Sequence, residues 1–238
     1  MNYKAPIVLA LDTTDQKTAC DWAQQAQDSI QVAKVGLEFF LSNGSNGVAA
    51  IRKAAPTLEF FLDLKLHDIP NTVKGAALAV EDLKPDFLTV HASGGFEMIA
   101  AAVKALPNCQ ITAVTVLTSI SAEQLAKLGL GIDPSAVSLA WATQAVDAGA
   151  KAIVTSPQEV ANLRKNLPAH IKLITPGVRP IGSENGDQAR VATPVEALQR
   201  GADLVVIGRP ITAGQNGTSS SAAAIAKEIQ DAGIGNSR

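Results

Sequence analysis

The sequence predicts an α/β fold, a single (β/α)8 (TIM) barrel that spans residues 1–238 as one domain. About eight short apolar runs alternate with helix-compatible segments, a pattern typical of a parallel sheet. The length of 238 residues is close to the roughly 250 that such barrels need. No glycine-rich dinucleotide or phosphate-loop motif follows any apolar run, which weighs against an open, doubly wound sheet.

Five strand candidates lie in the first half of the chain, at residues 7–11, 31–36, 58–62, 87–91 and 110–117. Helices are expected between them, over residues 13–27, 45–54, 72–83 and 96–105. Two prolines mark element boundaries in this half. Pro56 precedes the third strand candidate, and Pro70 lies in the polar stretch after it, where the strand is expected to have ended.

The second half repeats the alternation, with strand candidates at residues 152–155, 171–175 and 204–207. Asp133 and Pro134 are typical of a helix start, and that helix is expected to end at Gly149. Capping-box spacing predicts three further helix starts, at residues 121–124, 156–159 and 193–196. A final helix is expected over residues 219–231.

Composition narrows the function classes. Hydrophobic residues make up 47% of the chain but aromatic residues only 4%, so the predicted interior is large and aliphatic. A net charge of -2 without a basic run weighs against nucleic acid as a partner. The absence of a long apolar run or a signal-peptide core predicts no membrane span and a cytoplasmic location. Cys20 and Cys109 form no metal-ligand pattern, and a disulfide between them stays open.

The most informative stretch is residues 63–72, which follow the third strand candidate. Side chains alternate along a strand, so Asp63 and Lys65 are predicted to point to the same side. Burying a purely structural ion pair usually costs about as much free energy as the attraction returns. Asp68 adds a second acid beyond the strand, where it could also cap a helix or form a turn. The cluster as a whole predicts a catalytic site.

In a barrel of this kind, the active site lies at the C-terminal ends of the strands. The polar residues predicted to reach that rim are Asp12, Lys34, Asp63, Lys65, His91, Thr118, Arg179 and Arg209. This mixture of cations and acids suits a dianionic substrate. Arg179 and Arg209 follow the last two strand candidates, where barrels often bind phosphate, and the arginine fork matches phosphate oxygens.

Two features near the rim have alternative interpretations. The polar segment 180–190 is either a lid over a ligand or a disordered insertion, and its position beside Arg179 favours the lid. His91 could orient a catalytic group or bind a metal, but a structural histidine is the preferred interpretation. His170 is expected to be structural at a strand entrance, and His67 receives no role.

The stretch Asp63-x-Lys65-x-x-Asp68-Ile69-Pro70-Asn71-Thr72 resembles the signature of the orotidine 5′-phosphate decarboxylase family. Its short Asp-x-Lys-x-x-Asp part is shared with related sugar-phosphate lyases, so specificity comes from the combination with other positions. The other positions that match the family are distributed along the whole chain. They are Asp12, Lys34, Thr118, the 175–180 segment Thr-Pro-Gly-Val-Arg-Pro, Gly186-Asp187-Gln188-x-Arg190 and Gly208-Arg209-Pro210.

The resemblance implies decarboxylation of orotidine 5′-monophosphate to uridine 5′-monophosphate in pyrimidine synthesis, with no metal and no organic cofactor. It implies a homodimer in which Asp68 and Thr72 reach the neighbouring site. Lys34, Asp63, Lys65 and Asp68 would form a charge network with Lys65 as the proton donor. The remaining implied substrate contacts are Asp12 and Lys34 to the ribose, Thr118 to the pyrimidine, and Arg179, Gln188, Gly208 and Arg209 to the phosphate.

Two rival functions are weaker. A Mg²⁺-dependent sugar-phosphate lyase or decarboxylase typically has an acid near the position of Lys34, and a lysine there repels a divalent ion. A catalytically silent phosphate-binding barrel would leave the cluster of Asp63, Lys65 and Asp68 without a purpose. Decarboxylation without an electron sink instead requires electrostatic stabilisation of a carbanion, which a lysine beside two acids can supply.

Overall fold

The computed structural model describes residues 3–131, 133–180 and 192–234, and it contains a closed barrel of parallel strands in sequence order. β8 pairs back to β1, which closes the barrel and confirms the predicted fold class. The strands are β1 (Ala5–Ala10), β2 (Ile30–Gly36), β3 (Glu59–Leu66), β4 (Phe87–His91), β5 (Gln110–Val114), β6 (Ala152–Val154), β7 (Lys172–Thr175) and β8 (Leu204–Ile207).

Helices lie between the strands and after β8. They are α1 (Gln16–Ala26), α2 (Leu37–Ala54), α3 (Pro70–Leu78), α4 (Phe96–Ala105), α5 (Ala122–Lys127), α6 (Pro134–Asp147), α7 (Val160–Asn166), α8 (Pro194–Gln199), α9 (Arg209–Thr212) and α10 (Thr218–Asp231). Within the described ranges, each helix is either too short or too polar to cross a bilayer.

The strands are buried on both faces, which explains why they read as continuous apolar runs. One large cluster of buried side chains packs between strands and helices. A second, inner cluster takes one side chain from each of seven strands, namely Val8, Val32, Phe61, Phe87, Ala152, Ile174 and Leu204. Lys34 and Asp63 lie two residues beyond Val32 and Phe61, so they project from the same strand faces above this packed floor.

Helix caps were predicted with mixed success. Capping boxes are present at Ser121 and at Thr193, and Asp133 caps α6 with Pro134 in its first turn. The predicted box at residues 156–159 is wrong, because α7 begins only at Val160. The buried side chains of Ser156 and Glu159 hydrogen-bond each other, so neither caps the helix backbone in the predicted way.

Other element bounds differ from the predictions. Helix α2 starts at Leu37 instead of residue 45, and Gly44 interrupts it with φ of 58° and ψ of -157°. Helix α3 ends at Leu78, and a separate 3-10 turn follows before Lys84, whose φ is 46°. Strand β5 ends at Val114, three residues before its predicted end at residue 117.

The two cysteines do not form a disulfide. Cys20 and Cys109 are both free thiols. Burial raises the pKa of the Cys109 thiol to about 12, so this side chain behaves as a small apolar group of the core.

Candidate active site

A cavity of about 290 Å³ opens at the carboxyl ends of the strands. This volume is near the lower end of the roughly 300–1,000 Å³ that small-molecule pockets span. It brings together eight residues that the sequence predicted as site residues: Asp12, Lys34, Asp63, Lys65, Thr118, Arg179, Gly208 and Arg209. Its apolar wall was not predicted, and includes Phe61, Val114, Val116, Leu117, Val154, Pro176 and Val206.

Four charged side chains form a row of alternating sign in this cavity. The Lys34 ammonium lies 3.5 Å from Asp12 Oδ1 and 3.3 Å from Asp63 Oδ2. Lys65 Nζ lies 2.8 Å from Asp63 Oδ1, on the other side of that carboxylate. The row therefore runs Asp12, Lys34, Asp63, Lys65, and the predicted common side of Asp63 and Lys65 is confirmed.

Burial and charge oppose each other in this row. Burial is the largest influence on Asp63 and raises its pKa, but the cations of Lys34 and Lys65 together outweigh it and hold the pKa below the usual range. Burial likewise lowers the pKa of Lys34, yet the carboxylates of Asp63 and Asp12 outweigh it and the pKa is raised. Both groups are therefore ionised at neutral pH.

Strand β3 is irregular where it carries these residues. Leu62 pairs with Leu88 and Leu66 pairs with Val90, so four steps along β3 match two along β4. Within this bulge, Lys65 has a φ of 48°, in the left-handed region that non-glycine residues rarely adopt. The bulge moves the end of β3 out of a regular ladder and sets the direction of the Lys65 side chain.

Thr89, in the middle of β4, lies opposite the bulge and was missed by sequence reasoning. Its Oγ1 is 2.8 Å from the backbone nitrogen of Lys65 and 3.1 Å from Asp63 Oδ1. The side chain is fully buried. The available signal was a hydroxyl residue between the apolar Leu88 and Val90 of the strand.

Two arginines adjoin the same cavity. Arg179 follows β7, and its side chain donates a hydrogen bond to the Val178 carbonyl at 2.9 Å. Arg209 begins α9, immediately after Gly208. A Cβ on Gly208 would lie 3.5 Å from the Ala10 Cβ and 3.8 Å from Asp12 Oδ2, which are ordinary van der Waals contacts, so a methyl group would fit here without a clash. Both arginines line the cavity, and guanidinium groups bind anionic groups such as phosphate.

Two predicted site residues, Asp68 and Thr72, do not line the cavity, and a third lies outside the described residues. Asp68 and Thr72 are exposed, and Asp68 Oδ1 accepts a hydrogen bond from the Ile69 N–H at 2.6 Å, directly before α3. Asp68 is therefore not the N-cap of α3, which is Ile69. Gln188, together with the predicted lid over residues 180–190 apart from Pro180, lies outside the described residues.

The histidines are beside the cavity instead of in it. The His91 ring packs against the His67 ring, with centroids 5.3 Å apart. Burial, followed by the nearby His67 and Lys65, lowers the pKa of His91. In the described part of the chain, no three His, Cys, Asp or Glu side chains are grouped to hold a metal ion. His170 is exposed two residues before β7.

The fold and this rim define a (β/α)8-barrel enzyme that handles an anionic substrate with charged side chains. The model of the orotidine 5′-phosphate decarboxylase / HUMPS family matches residues 5–224, and the chain belongs to this family.

Relatives agree with this assignment over nearly the whole chain. An orotidine 5′-phosphate decarboxylase of Thermobifida fusca is 51% identical over 96% of this chain and 97% of its own length. One of Frankia casuarinae is 47% identical, over 88% of this chain and 82% of its own length. The crystal structure of orotidine 5′-phosphate decarboxylase from Lactobacillus acidophilus superposes with a TM-score of 0.81 at 33% identity, covering 95% and 99% of the two chains.

Proposed function

We propose that this enzyme is a carboxy-lyase that converts orotidine 5′-monophosphate to uridine 5′-monophosphate and CO2 in pyrimidine synthesis. The observation that carries the proposal is the row of alternating charge, Asp12, Lys34, Asp63 and Lys65, in one cavity with two arginines. Residues 1–238 would form one catalytic domain, and the family's place in nucleotide metabolism suits a cytoplasmic location.

The proposed reaction replaces a carboxylate by a proton at C6 of the pyrimidine. The bond between C6 and the carboxylate breaks, CO2 leaves, and the electron pair stays on C6. The Lys65 ammonium lies beside C6, stabilises the developing negative charge and then donates its proton there. Solvent returns a proton to Lys65, so the enzyme is unchanged after each turnover.

Asp63 has two roles in this proposal. Its carboxylate lies near the departing carboxylate of the substrate, and their repulsion is relieved as CO2 leaves. It also keeps Lys65 in place through the 2.8 Å ion pair. Lys34 holds Asp63 from the other side at 3.3 Å, which keeps the acid ionised despite its burial.

The remaining cavity residues would bind the parts of the substrate that do not react. Asp12 and Lys34 contact the ribose hydroxyls, and Thr118 contacts the pyrimidine. The phosphate is held by Arg179, Gln188, the backbone at Gly208, and Arg209. Binding energy from the phosphate helps to organise the charged site.

The proposed mechanism uses no metal and no organic cofactor. A divalent ion at this rim would need the carboxylates of Asp12 and Asp63 as ligands. The Lys34 ammonium lies between them, 3.5 and 3.3 Å away, and repels a second cation. This geometry argues against the Mg²⁺-dependent lyase as the alternative.

The proposed enzyme is a homodimer in which Asp68 and Thr72 complete the neighbouring site. Both residues are exposed, in or just before the first turn of α3, and neither lines the cavity of its own chain. Large apolar side chains nearby are also exposed, with Ile69 at 66%, Leu78 at 42% and Phe96 at 44% of their surface. Exposed apolar groups of this kind favour contact with a second subunit.

The activity is tested by following the absorbance of orotidine 5′-monophosphate with and without a strong chelator. Conversion to uridine 5′-monophosphate that the chelator does not slow is the expected result. Conversion that stops with the chelator and returns with Mg²⁺ would refute the metal-free mechanism. Nucleotide binding without turnover would favour a silent phosphate-binding barrel.

The dimer is tested by mixing two inactive variants, Lys65→Ala and Asp68→Asn. If Asp68 acts in the neighbouring site, each hybrid dimer has one site with both native residues, so about a quarter of all sites regain activity in an equal mixture. The control mixes Lys65→Ala with Asp63→Asn, which share a site, and should stay inactive. A Lys65→Ala and Asp68→Asn mixture that exchanges subunits without regaining activity would place Asp68 in its own site.

A further inference from the structure

We propose that Thr89 is a positioning residue for the reaction, because its buried hydroxyl holds the bulged end of β3 and thereby the relative placement of Asp63 and Lys65. This inference rests on the proposed decarboxylation. Thr89 contacts two parts of the β3 bulge at once, through one oxygen atom.

The direction of both hydrogen bonds follows from the chemistry of the partners. The Lys65 backbone N–H can only donate, so the Thr89 oxygen accepts from it at 2.8 Å. The Asp63 carboxylate is ionised and can only accept, so the Thr89 hydroxyl donates to Oδ1 at 3.1 Å. The hydroxyl rotor therefore has a single orientation that satisfies both partners.

The bulge explains why such a contact is needed. Where β3 and β4 lose register, between Leu62 and Leu66, the regular backbone ladder is interrupted. The Lys65 N–H therefore bonds to a side chain of β4. Lys65 also has a φ of 48°, and a conformation of this kind persists only when its surroundings enforce it. Thr89 provides part of that enforcement from the neighbouring strand.

The same oxygen of Asp63 receives both Lys65 Nζ, at 2.8 Å, and the Thr89 hydroxyl. Thr89 thus fixes both the backbone from which the Lys65 side chain extends and the carboxylate that the ammonium contacts. Because Thr89 is fully buried below these groups and does not line the cavity, we assign it no contact with substrate. Its effect on the reaction is through the placement of Asp63 and Lys65.

The test compares Thr89→Val, which has nearly the same shape but no hydroxyl, with Thr112→Val as a matched control. Thr112 is equally buried, pairs with Thr89 across β4 and β5, and donates to the Gln110 carbonyl of its own strand. Thr89→Val should lower kcat about 100-fold, since a displacement near 1 Å of catalytic groups has effects of this size. Its KM and its affinity for uridine 5′-monophosphate should change less than about threefold, because the phosphate and ribose contacts remain.

A second pair of variants tests the Thr89 hydroxyl without relying on how a valine side chain packs at this position. Thr89→Ser keeps the hydroxyl and should retain most of the wild-type kcat, whereas Thr89→Ala lacks it and should resemble Thr89→Val. The assignment is overturned if Ser and Ala lower kcat equally, if Thr112→Val lowers it as much as Thr89→Val, or if KM changes while kcat does not. A folded wild-type chain without decarboxylase activity would instead overturn the proposed function, and this assignment with it.

Discussion

Replacing Lys34 by methionine tests the charged row most directly, because it removes one buried cation and keeps a side chain of similar length. Lys34 is only 8% exposed, and its ammonium is 3.3 Å from Asp63. Unit charges at that separation attract each other by about 5 kcal/mol at an effective dielectric constant near 20. Removing one partner of a buried pair typically costs about 3–5 kcal/mol, since the other charge is left uncompensated.

If the transition state bears that whole cost, Lys34→Met lowers kcat/KM by about 10²–10⁴-fold, at roughly 1.4 kcal/mol for each factor of ten. The pKa of Asp63 should also rise, because burial raises it and one of the two opposing cations is gone. An acid whose pKa is lowered in the folded state stabilises the fold above its ordinary pKa, and this stabilisation is lost as pH falls through the folded pKa. The acid-side loss of activity and stability should therefore move to higher pH in the variant.

The assay is the initial rate of orotidine 5′-monophosphate loss as a function of pH, with urea unfolding at each pH. The control is Lys227→Met, which removes a surface ion pair whose side chains are 71% and 63% exposed. That change should leave kcat/KM unaltered and alter the unfolding free energy by less than about 1 kcal/mol. A Lys34→Met enzyme with kcat/KM within tenfold of wild type and an unmoved acid limb would refute the role of Lys34 in the row.

Three further predictions follow from the same site. Lys65→Ala and Lys65→Gly should both abolish turnover. The glycine variant should be more stable than the alanine variant in urea by about 1 kcal/mol, because position 65 has a φ of 48°. Equal stabilities would show that this backbone is not strained. Arg209→Ala and Gln188→Ala should each lower kcat/KM about 10- to 100-fold, as loss of a charge-assisted hydrogen bond does, and an unchanged value removes that residue from phosphate binding. The contribution of Lys34 to the free energy of unfolding should be fully present below its ordinary pKa of 10.5 and be lost as pH rises through its raised pKa. This prediction is contradicted if wild type and Lys34→Met already have the same urea midpoint at neutral pH.

The strands were the most predictable part of the fold. The predicted bounds of β4, α4 and β8 coincide with the observed ones, Phe87–His91, Phe96–Ala105 and Leu204–Ile207. Strands buried on both faces give short apolar runs that end sharply at polar residues. The start of α7 was less predictable, because the buried pair of Ser156 and Glu159 satisfies itself instead of capping the helix, and that pairing depends on tertiary packing.

The residues of the candidate site could be predicted where a charged residue follows or ends an apolar run of the sequence. Asp12, Lys34 and Arg209 could be assigned to the rim because each lies at or near the end of an apolar run. Thr89 could not, because its importance comes from facing the bulge across the sheet. That register depends on how β3 and β4 pair, and a single sequence contains no information on cross-strand pairing of this precision.

Strand β3 departs from regular barrel geometry at Asp63 and Lys65, the charged residues of the candidate site. Asp63 and Lys65 combine a bulge, a left-handed backbone and a partly buried ion pair within three residues. Each of these features is unfavourable by itself, with a left-handed non-glycine residue costing about 1–3 kcal/mol. The floor below is closely packed, with the Phe61 and Phe87 rings 5.4 Å apart. We infer that this rigid floor helps to keep the lysine and the aspartate in the arrangement that the proposed chemistry needs.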